Sequence, residues 1–343
     1  MTVPAGAAAG AAAGQAALLA MARRTLGAAS PRALVSGAGG APMEVARDAR
    51  DEARLSPARV IEGDTVRAHR VAGEPDATFG AFLDGIQRTE RVGYLDAAPI
   101  VLGSVAAVVR ERHEGRLRTW GGGFARETRV YLPLALLPAD VPAQFEERGF
   151  AIADTLAGRR DRAVDRSAGP HPLELERAAC DAIREHRGAM ERRLADAWVE
   201  RGPGALCVDG PLPGDAASRS PAVTGVVKSH RELQVAGEAL RVVLALAAGE
   251  RSSVLERTSA TRVSVATWYL RLRDPAGRHP LWGLVRVEAA HAPGGDGVAL
   301  AARADAVSRM VLAESRPLAL PDSRWDVMVY PIRDCEEFLR ASL

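Results

Sequence analysis

The sequence predicts an α/β fold in which a mixed sheet is flanked by helices and preceded by a helical N-terminal extension. Two observations lead to this prediction. Residues 78–137 form consecutive strand-like segments with short connections, which favours antiparallel neighbours. The longest helical pattern of the chain, residues 172–200, is then followed by two short apolar runs, so a helix lies between strands of the same sheet.

The first 57 residues differ in composition from the rest of the chain. Residues 1–57 are rich in Ala and Gly, and residues 58–343 form the predicted folded domain. Residues 15–26 and 43–55 match helical spacing within this extension. The extension is equally compatible with a partly flexible segment and with a docking arm for a partner. No basic residue precedes its apolar part, unlike in a secretion signal.

Apolar runs, turn residues and helical spacing predict the remaining elements in order. The predicted strands are a peripheral strand or hairpin in residues 59–71, then residues 82–86, residues 99–112, a third from "GRLRTW" and "ETRVYLPLALL", residues 205–208, residues 222–227, "TRVSVATWYLRLRD", "HPLWGLVRVEAA" and "RWDVMVYPI". The predicted helices are residues 140–156, 172–200, 234–248, 298–313 and a short terminal helix capped by Asp334. The lack of a period of roughly 20 to 50 residues excludes a solenoid.

The composition is typical of a soluble cytoplasmic protein. No uninterrupted apolar run approaches the roughly 20 residues of a membrane helix, so we expect no membrane association. Cys180, Cys207 and Cys335 lie far apart without a CxxC pair, which indicates reduced thiols. The net charge of +2 does not exclude nucleic-acid partners, because such proteins can concentrate positive charge on one face.

Two aspartates end short apolar runs and precede a glycine, Asp84 in "GAFLDGIQ" and Asp209 in "ALCVDGPL". Each Asp-Gly pair alone is typical of a turn, but a carboxylate at the end of a buried strand is costly without a partner. On the helix between them, Glu176 shares the apolar stripe and is expected to face the sheet. The three acids therefore predict a metal site at the rim of the sheet. The alternative for Glu176 is an ion pair with an arginine such as Arg88.

The chemistry of these side chains suits hard divalent cations. Carboxylate oxygens favour Mg²⁺ or Mn²⁺ over zinc, and two such ions about 4 Å apart can promote hydrolysis of a phosphodiester. Lys228 is the single lysine among 45 basic residues and lies within "GVVKSH". Its compact ammonium group is expected to orient the nucleophile or to offset phosphate charge.

The order of a strand with Asp, two strands, a helix with Glu and a strand with Asp is that of ribonuclease H-like nucleases. Within that group, residues 78–343 resemble the NurA family of DNA-repair nucleases through "FLDGIQ", "PLELERAA", "CVDGPL", "GVVKSH" and "TWYLRL…PLWGLVRVE". The resemblance implies that Asp84, Glu176 and Asp209 are catalytic metal ligands and that Lys228 is catalytic. "YPIRDCEEFL" offers Asp334 as a fourth ligand, with Glu336 and Glu337 close by, and the alternative role of Asp334 is a helix cap.

The resemblance also implies an activity and partners. It implies a DNA nuclease dependent on Mn²⁺ or Mg²⁺, with 5′-to-3′ exonuclease activity, alone or with single-strand endonuclease activity. Such a nuclease processes DNA ends in repair as a homodimer with a hexameric HerA-type ATPase, in the cytoplasm at the nucleoid. The sequence has no P-loop, so any motor is another chain. Two alternatives stay open: a catalytically inactive DNA-binding subunit of such a complex, and a ribonuclease H-like enzyme acting on RNA or hybrids.

Five side chains are the candidate contacts for nucleic acid. They are Arg88, Arg159, Arg160, Arg162 and His230. The three arginines of residues 159–162 lie in a charged loop, which is equally typical of a solvated surface. His230 closely follows Lys228, and its alternative role is an ordinary surface histidine.

Overall fold

The computed structural model describes residues 5–37, 53–157, 171–258, 263–291, 297–316 and 325–343. Within these ranges, thirteen strands form one mixed sheet flanked by helices, which confirms the predicted α/β architecture. The strands are β1 (Ala33–Val35), β2 (Arg54–Leu55), β3 (Arg59–Val60), β4 (Ala68–Arg70), β5 (Phe79–Leu95), β6 (Ala98–His113), β7 (Arg116–Leu132), β8 (Ala151–Asp154), β9 (Ala205–Asp209), β10 (Val223–Val227), β11 (Glu232–Leu233), β12 (Glu250–Ser252), β13 (Leu255–Thr258), β14 (Ser264–Arg271) and β15 (Leu284–Ala290). The helices are α1 (Ala5–Ala29), α2 (Asp140–Glu147), α3 (Pro172–Arg201), α4 (Asp215–Arg219), α5 (Gly237–Leu244), α6 (Gly297–Glu314) and α7 (Tyr330–Ser342). Strands β2 and β11 pair separately from the main sheet.

The centre of the sheet has the strand order expected from the sequence. Strands β5, β6 and β7 form an antiparallel meander. Helix α3 then leads to β9, which lies parallel to β5 on its free side, and β10 lies parallel to β9. Strands β15 and β14 continue the sheet in antiparallel pairing. The order β7-β6-β5-β9-β10 places β5 and β9 side by side.

The two faces of the sheet pack against different helices. Leu83 belongs to a core cluster with α3, whereas Phe82 and Cys207 belong to a second cluster with α6 and α7. Because side chains alternate along a strand, the residues two positions after Phe82 and Cys207 point to the same side as these two. Asp84 and Asp209 are therefore directed towards the face covered by α7.

Helix α1 belongs to the core rather than lying apart from it. Leu26 is fully buried in a cluster with Val92 and Ile100 of the sheet, and Gln15 accepts a hydrogen bond of 3.0 Å from Ser104. Most of the helix predicted over residues 43–55 lies outside the described residues, and its end, Arg54–Leu55, is strand β2. Within the described ranges, no helix has both the length and the apolar character needed to cross a membrane.

Two predicted elements differ from the structure. Residues 140–156 form helix α2 and then strand β8, because Gly149 adopts a left-handed φ of 81° that ends the helix. The "RWDVMVYPI" segment, predicted as a strand, forms a 3₁₀ turn and the start of α7 in its described residues, 325–332. Pro331 lies in the first turn of that helix, and Ile332, Cys335 and Leu339 form its buried stripe.

Candidate metal centre

Asp84 and Asp209 meet because their strands are neighbours in parallel register. Leu83 pairs with Val208, so the aspartates that follow lie at the same level of β5 and β9. Asp84 is only 7% exposed, and its Oδ1 accepts a 2.7 Å hydrogen bond from the backbone N–H of Gly85. The paired Asp-Gly motifs of the sequence are therefore brought to one place, as the sequence predicted for these two acids.

Helix α7 brings a third acid to this pair. One carboxylate oxygen of Glu336 lies within 4.8 Å of one oxygen each from Asp84 and Asp209. The anchor of the helix is Cys335, which is fully buried and donates its thiol to the carbonyl of Phe82 at 3.6 Å. Since Glu336 follows Cys335, the contact between α7 and β5 holds the carboxylate beside the two aspartates.

Asp334 does not take the place predicted for it as a fourth ligand or as a helix cap. It lies inside α7, and its Oδ1 accepts a 2.7 Å hydrogen bond from Nε of Arg110. Residues two positions apart on a helix are about 200° apart around its axis, so Asp334 and Glu336 point in different directions. The guanidinium of Arg110 also stacks over the Phe338 ring at 4.9 Å, which fixes α7 against β6.

The acids repel one another, and one lysine partly offsets the repulsion. Burial, followed by the charge of Asp209, raises the pKa of Asp84 to about 8, against the opposing effect of Lys228. The Nζ atom of Lys228 lies 2.8 Å from Oδ1 of Asp209, and both side chains are largely buried. Two cations face the three carboxylates, Lys228 beside Asp209 and Arg340, which lies 3.1 Å from Glu336, so the cluster retains negative charge that a metal ion can neutralise.

A fourth acid, Glu191 of α3, approaches from the opposite face of the sheet. A Cβ atom added at Gly85 would overlap the Glu191 carboxylate, so the glycine makes room for it. Burial raises the pKa of Glu191 to about 6, with Arg187 opposing this effect and Asp209 adding to it. The charge of Glu191 in turn raises the pKa of Asp84. Glu191 is therefore the acid of α3 that acts on the site.

Glu176, the acid that the sequence assigned to this position, lies elsewhere on α3. Its carboxylate accepts hydrogen bonds from the Tyr94 hydroxyl and, at 3.4 Å, from Arg91. Both partners lie towards the far end of β5, Arg91 seven and Tyr94 ten residues beyond Asp84. The first turns of α3 therefore lie against the far end of β5, and Glu191 lies against the part of β5 that contains Asp84. An ion pair with arginine was the alternative for Glu176, and its partner is Arg91 instead of Arg88.

The candidate nucleic-acid contacts are dispersed. Arg88 is exposed on β5 and donates to the carbonyl of Leu343 at 3.3 Å. His230 is turned inward, where its Nε2 lies 2.7 Å from the Leu284 carbonyl and burial lowers its pKa. A neutral, inward imidazole is a poor phosphate contact, so its placement does not support that assignment. The other three candidates, Arg159, Arg160 and Arg162, lie outside the described residues.

The cluster fits a hard divalent cation. Its donors are carboxylate oxygens, which Mg²⁺ and Mn²⁺ prefer, and burial together with the charge of Asp209 raises the pKa of Asp84, an effect that a bound cation opposes. Two thiols lie nearby, but burial raises the pKa of Cys207 and Cys335 far above the usual range. They stay protonated and are poor ligands for a soft metal.

Comparison with solved structures finds a structural likeness to a nuclease. The NurA nuclease from Sulfolobus solfataricus aligns with a TM-score of 0.46 and 10% sequence identity, over 79% of this chain and 81% of that protein. No family model matches the sequence, and no curated protein matches it.

Two acids of the site, Glu336 and Glu191, were not predicted as site residues, although a feature of the sequence points to each of them. Ile332 and Cys335 share helical spacing with later apolar residues, and Glu336 borders that stripe. For Glu191 the signal is Gly85, because glycine inside a strand often marks the close approach of another group.

Proposed function

We propose that this chain is a divalent-metal-dependent phosphodiesterase that cleaves DNA. The observation that carries the proposal is the convergence of Asp84, Asp209 and Glu336 from β5, β9 and α7, beside Lys228. Three buried or half-buried carboxylates that share Lys228 and Arg340 as positive partners cost folding free energy unless a metal cation joins them. Such a cost, located where the end of β9 lies beside Asp84 of β5, is typical of a functional site.

The residues of the site have distinct roles in this proposal. Asp84, Asp209 and Glu336 would hold one or two ions of Mn²⁺ or Mg²⁺, and Glu191 would add negative charge from the opposite face. When bound, the metal supplies Lewis acidity towards a phosphoryl oxygen and offsets its negative charge. Lys228 orients Asp209 through their 2.8 Å contact and presents its remaining N–H groups to a phosphate.

A cavity of about 240 Å³ adjoins the acids and provides a place for the substrate. Lys228 and Glu336 form part of its wall, together with Ser229, Met328 and Arg333. A phosphate entering this cavity meets N–H groups of Lys228 and Arg333, which also pair with Asp209 and Glu337. The apolar part of the wall excludes water and strengthens these interactions.

The substrate and partners follow from the sequence motifs that resemble the NurA family. On that basis the substrate is DNA, cut 5′ to 3′ from ends and, in single strands, internally. The protein would act in the cytoplasm as a homodimer, with a hexameric HerA-type ATPase that supplies translocation. Asp334 pairs with Arg110 and Glu176 with Arg91, and neither joins the cluster of Asp84, Asp209 and Glu336, so we leave both out of the proposed metal centre.

Cleavage of end-labelled linear DNA with Mn²⁺ tests the proposal. The wild type is expected to degrade the DNA, and Asp84→Asn and Asp209→Asn to lose at least about a hundredfold in rate. The matched control is Glu176→Gln, which alters a carboxylate outside the cluster. Full activity in both aspartate variants would refute the site. Parallel assays on RNA and hybrid substrates separate the DNA nuclease from a ribonuclease H-like enzyme, and inactivity under every metal would favour the inactive subunit.

A further inference from the structure

A second, larger cavity lies on the α3 side of the sheet and is rich in arginine. It measures about 720 Å³ and is bounded by β7, the second half of α3 and the start of α4. Four arginines from these three elements line it: Arg129, Arg192, Arg193 and Arg219. Arginines that converge from separate elements on one cavity favour an anionic ligand, because their planar groups bind phosphate with paired hydrogen bonds.

Two of these arginines share a single carboxylate. Glu127 accepts from Arg129 at 2.5 Å and from Arg193 at 3.0 Å. Burial raises the pKa of Glu127, but hydrogen bonds from the two arginines outweigh this effect and lower the pKa to about 2. Glu127 therefore stays ionised near neutral pH. His186, which also contacts Glu127 at 3.0 Å, has a pKa lowered by burial and adds little charge. The pair of guanidinium groups thus keeps one net positive charge.

The other two arginines are weakly compensated. Arg219 lies 3.8 Å from Asp215, and both side chains are more than half exposed, so the ion pair contributes little. Arg192 forms no hydrogen bond or salt bridge with any residue that the structure describes. Asp196 supplies a further carboxylate to the wall. Four guanidinium groups therefore face three carboxylates, those of Glu127, Asp196 and Asp215. Arg192 is available to a ligand.

Arg192 lies next to the acid of α3 that approaches the metal centre from the opposite face of the sheet. It directly follows Glu191, whose carboxylate lies against Gly85 beside Asp84. Across the cavity, Gly214 lies five residues after Asp209 and has a left-handed φ of 119°. A Cβ atom at Gly214 would lie 3.0 Å from Cδ of Arg192, so the glycine allows the stem of the arginine to pack there. One end of the cavity is thus built from the residues that follow two acids of the site.

We infer that this cavity, hereafter the arginine cavity, binds the phosphodiester backbone of DNA at a site separate from the metal centre, on the opposite face of the sheet. This inference rests on the proposed function. Arg192 and Arg219 would contact successive phosphates, and the pair held by Glu127 would supply a fixed positive wall. Contacts of this kind position a strand without reading its sequence.

Binding of a fluorescein-labelled single strand, followed by anisotropy in EDTA, tests the inference without cleavage. Arg192→Ala is expected to weaken binding about five- to tenfold and to reduce the slope of log K against log salt by about 0.7, the loss of one phosphate contact. Arg219→Ala should act in the same direction. Arg241→Ala, an exposed arginine of α5 paired with Glu238, is the matched control and should match the wild type. Circular dichroism shows that each variant is folded.

Unchanged affinity and salt slope in both cavity variants would overturn the inference, as would equal losses in the Arg241→Ala control. Binding of inorganic phosphate that depends on Arg192 while DNA binding does not would indicate a small-anion site and would also overturn it. Hydrolysis of bis(p-nitrophenyl) phosphate by the wild type with Mn²⁺ tests the metal centre separately. The inference about the arginine cavity can therefore be refuted while the proposed function stands. Loss of the proposed function with DNA binding retained would be seen equally clearly.

Discussion

Replacing Asp84 by asparagine should make the metal-free protein more stable while removing its response to metal. The pKa of Asp84 is raised from 3.8 to about 8 in the folded protein. The folded state therefore binds this proton more tightly than the unfolded chain, and stability is lost as the pH rises from about 4 to about 8. The full shift corresponds to ~6 kcal/mol at about 1.4 kcal/mol per pKa unit.

The asparagine side chain keeps the acceptor for the Gly85 N–H but carries no charge. In EDTA at pH 8.5 we expect Asp84→Asn to gain about 2 kcal/mol or more, seen as a rise in Tm, and the gain should vanish near pH 4. Addition of Mn²⁺ at a hundred times its Kd should stabilise the wild type by about 2.7 kcal/mol and the variant much less. Calorimetry over this pH range measures both effects.

Glu176→Gln serves as the control in this experiment, because it removes a charge from α3 away from the metal centre. It should keep the Mn²⁺ response and show no gain at pH 8.5. The reasoning is refuted if Asp84→Asn is less stable than the wild type in EDTA at pH 8.5. Equal stabilisation of both proteins by Mn²⁺ would show that Asp84 is not a ligand.

Three further predictions follow from the surroundings of the site. Glu191→Gln should lower the rate of DNA cleavage about ten- to a hundredfold, whereas Glu176→Gln should cleave within about twofold of the wild-type rate. Similar rates for the two variants would contradict the placement of these acids. Gly85→Ala should lower the free energy of unfolding by about 1–3 kcal/mol, measured by chemical denaturation, because its Cβ overlaps the Glu191 carboxylate. The double variant Gly85→Ala with Glu191→Ala should recover most of this loss. Arg110→Ala should destabilise the protein by about 1–3 kcal/mol and weaken Mn²⁺ binding in calorimetric titration, because it releases Asp334 and loosens α7. Arg110→Lys should restore part of both losses. Unchanged Mn²⁺ affinity would show that other contacts position α7.

The strands that carry the site could be predicted from local sequence. Asp84 and Asp209 each end an apolar run before glycine, and their pairing followed from the order of strands and helix. The extent of β5, β6 and β7 could not be predicted, because their polar ends are stabilised by neighbouring strands over 16 or 17 residues. Tertiary pairing, rather than residue preference, sets these lengths.

The helical acids were harder to predict because their identity depends on how a helix lies across the sheet. Helix α3 has 30 residues, and both Glu176 and Glu191 are partly buried on it. Only the docking of α3 decides which of them reaches Gly85. For α7, the short apolar segment before Pro331 is equally compatible with a strand, and the spacing of the later apolar residues favours the helix.

The most direct test of the metal centre is a crystal structure with Mn²⁺, using anomalous scattering at the manganese edge. We predict an anomalous peak within coordination distance of carboxylate oxygens from Asp84, Asp209 and Glu336, with Lys228 displaced little from Asp209. A fully occupied manganese ion bound elsewhere, with these three carboxylates free of metal, would contradict the account.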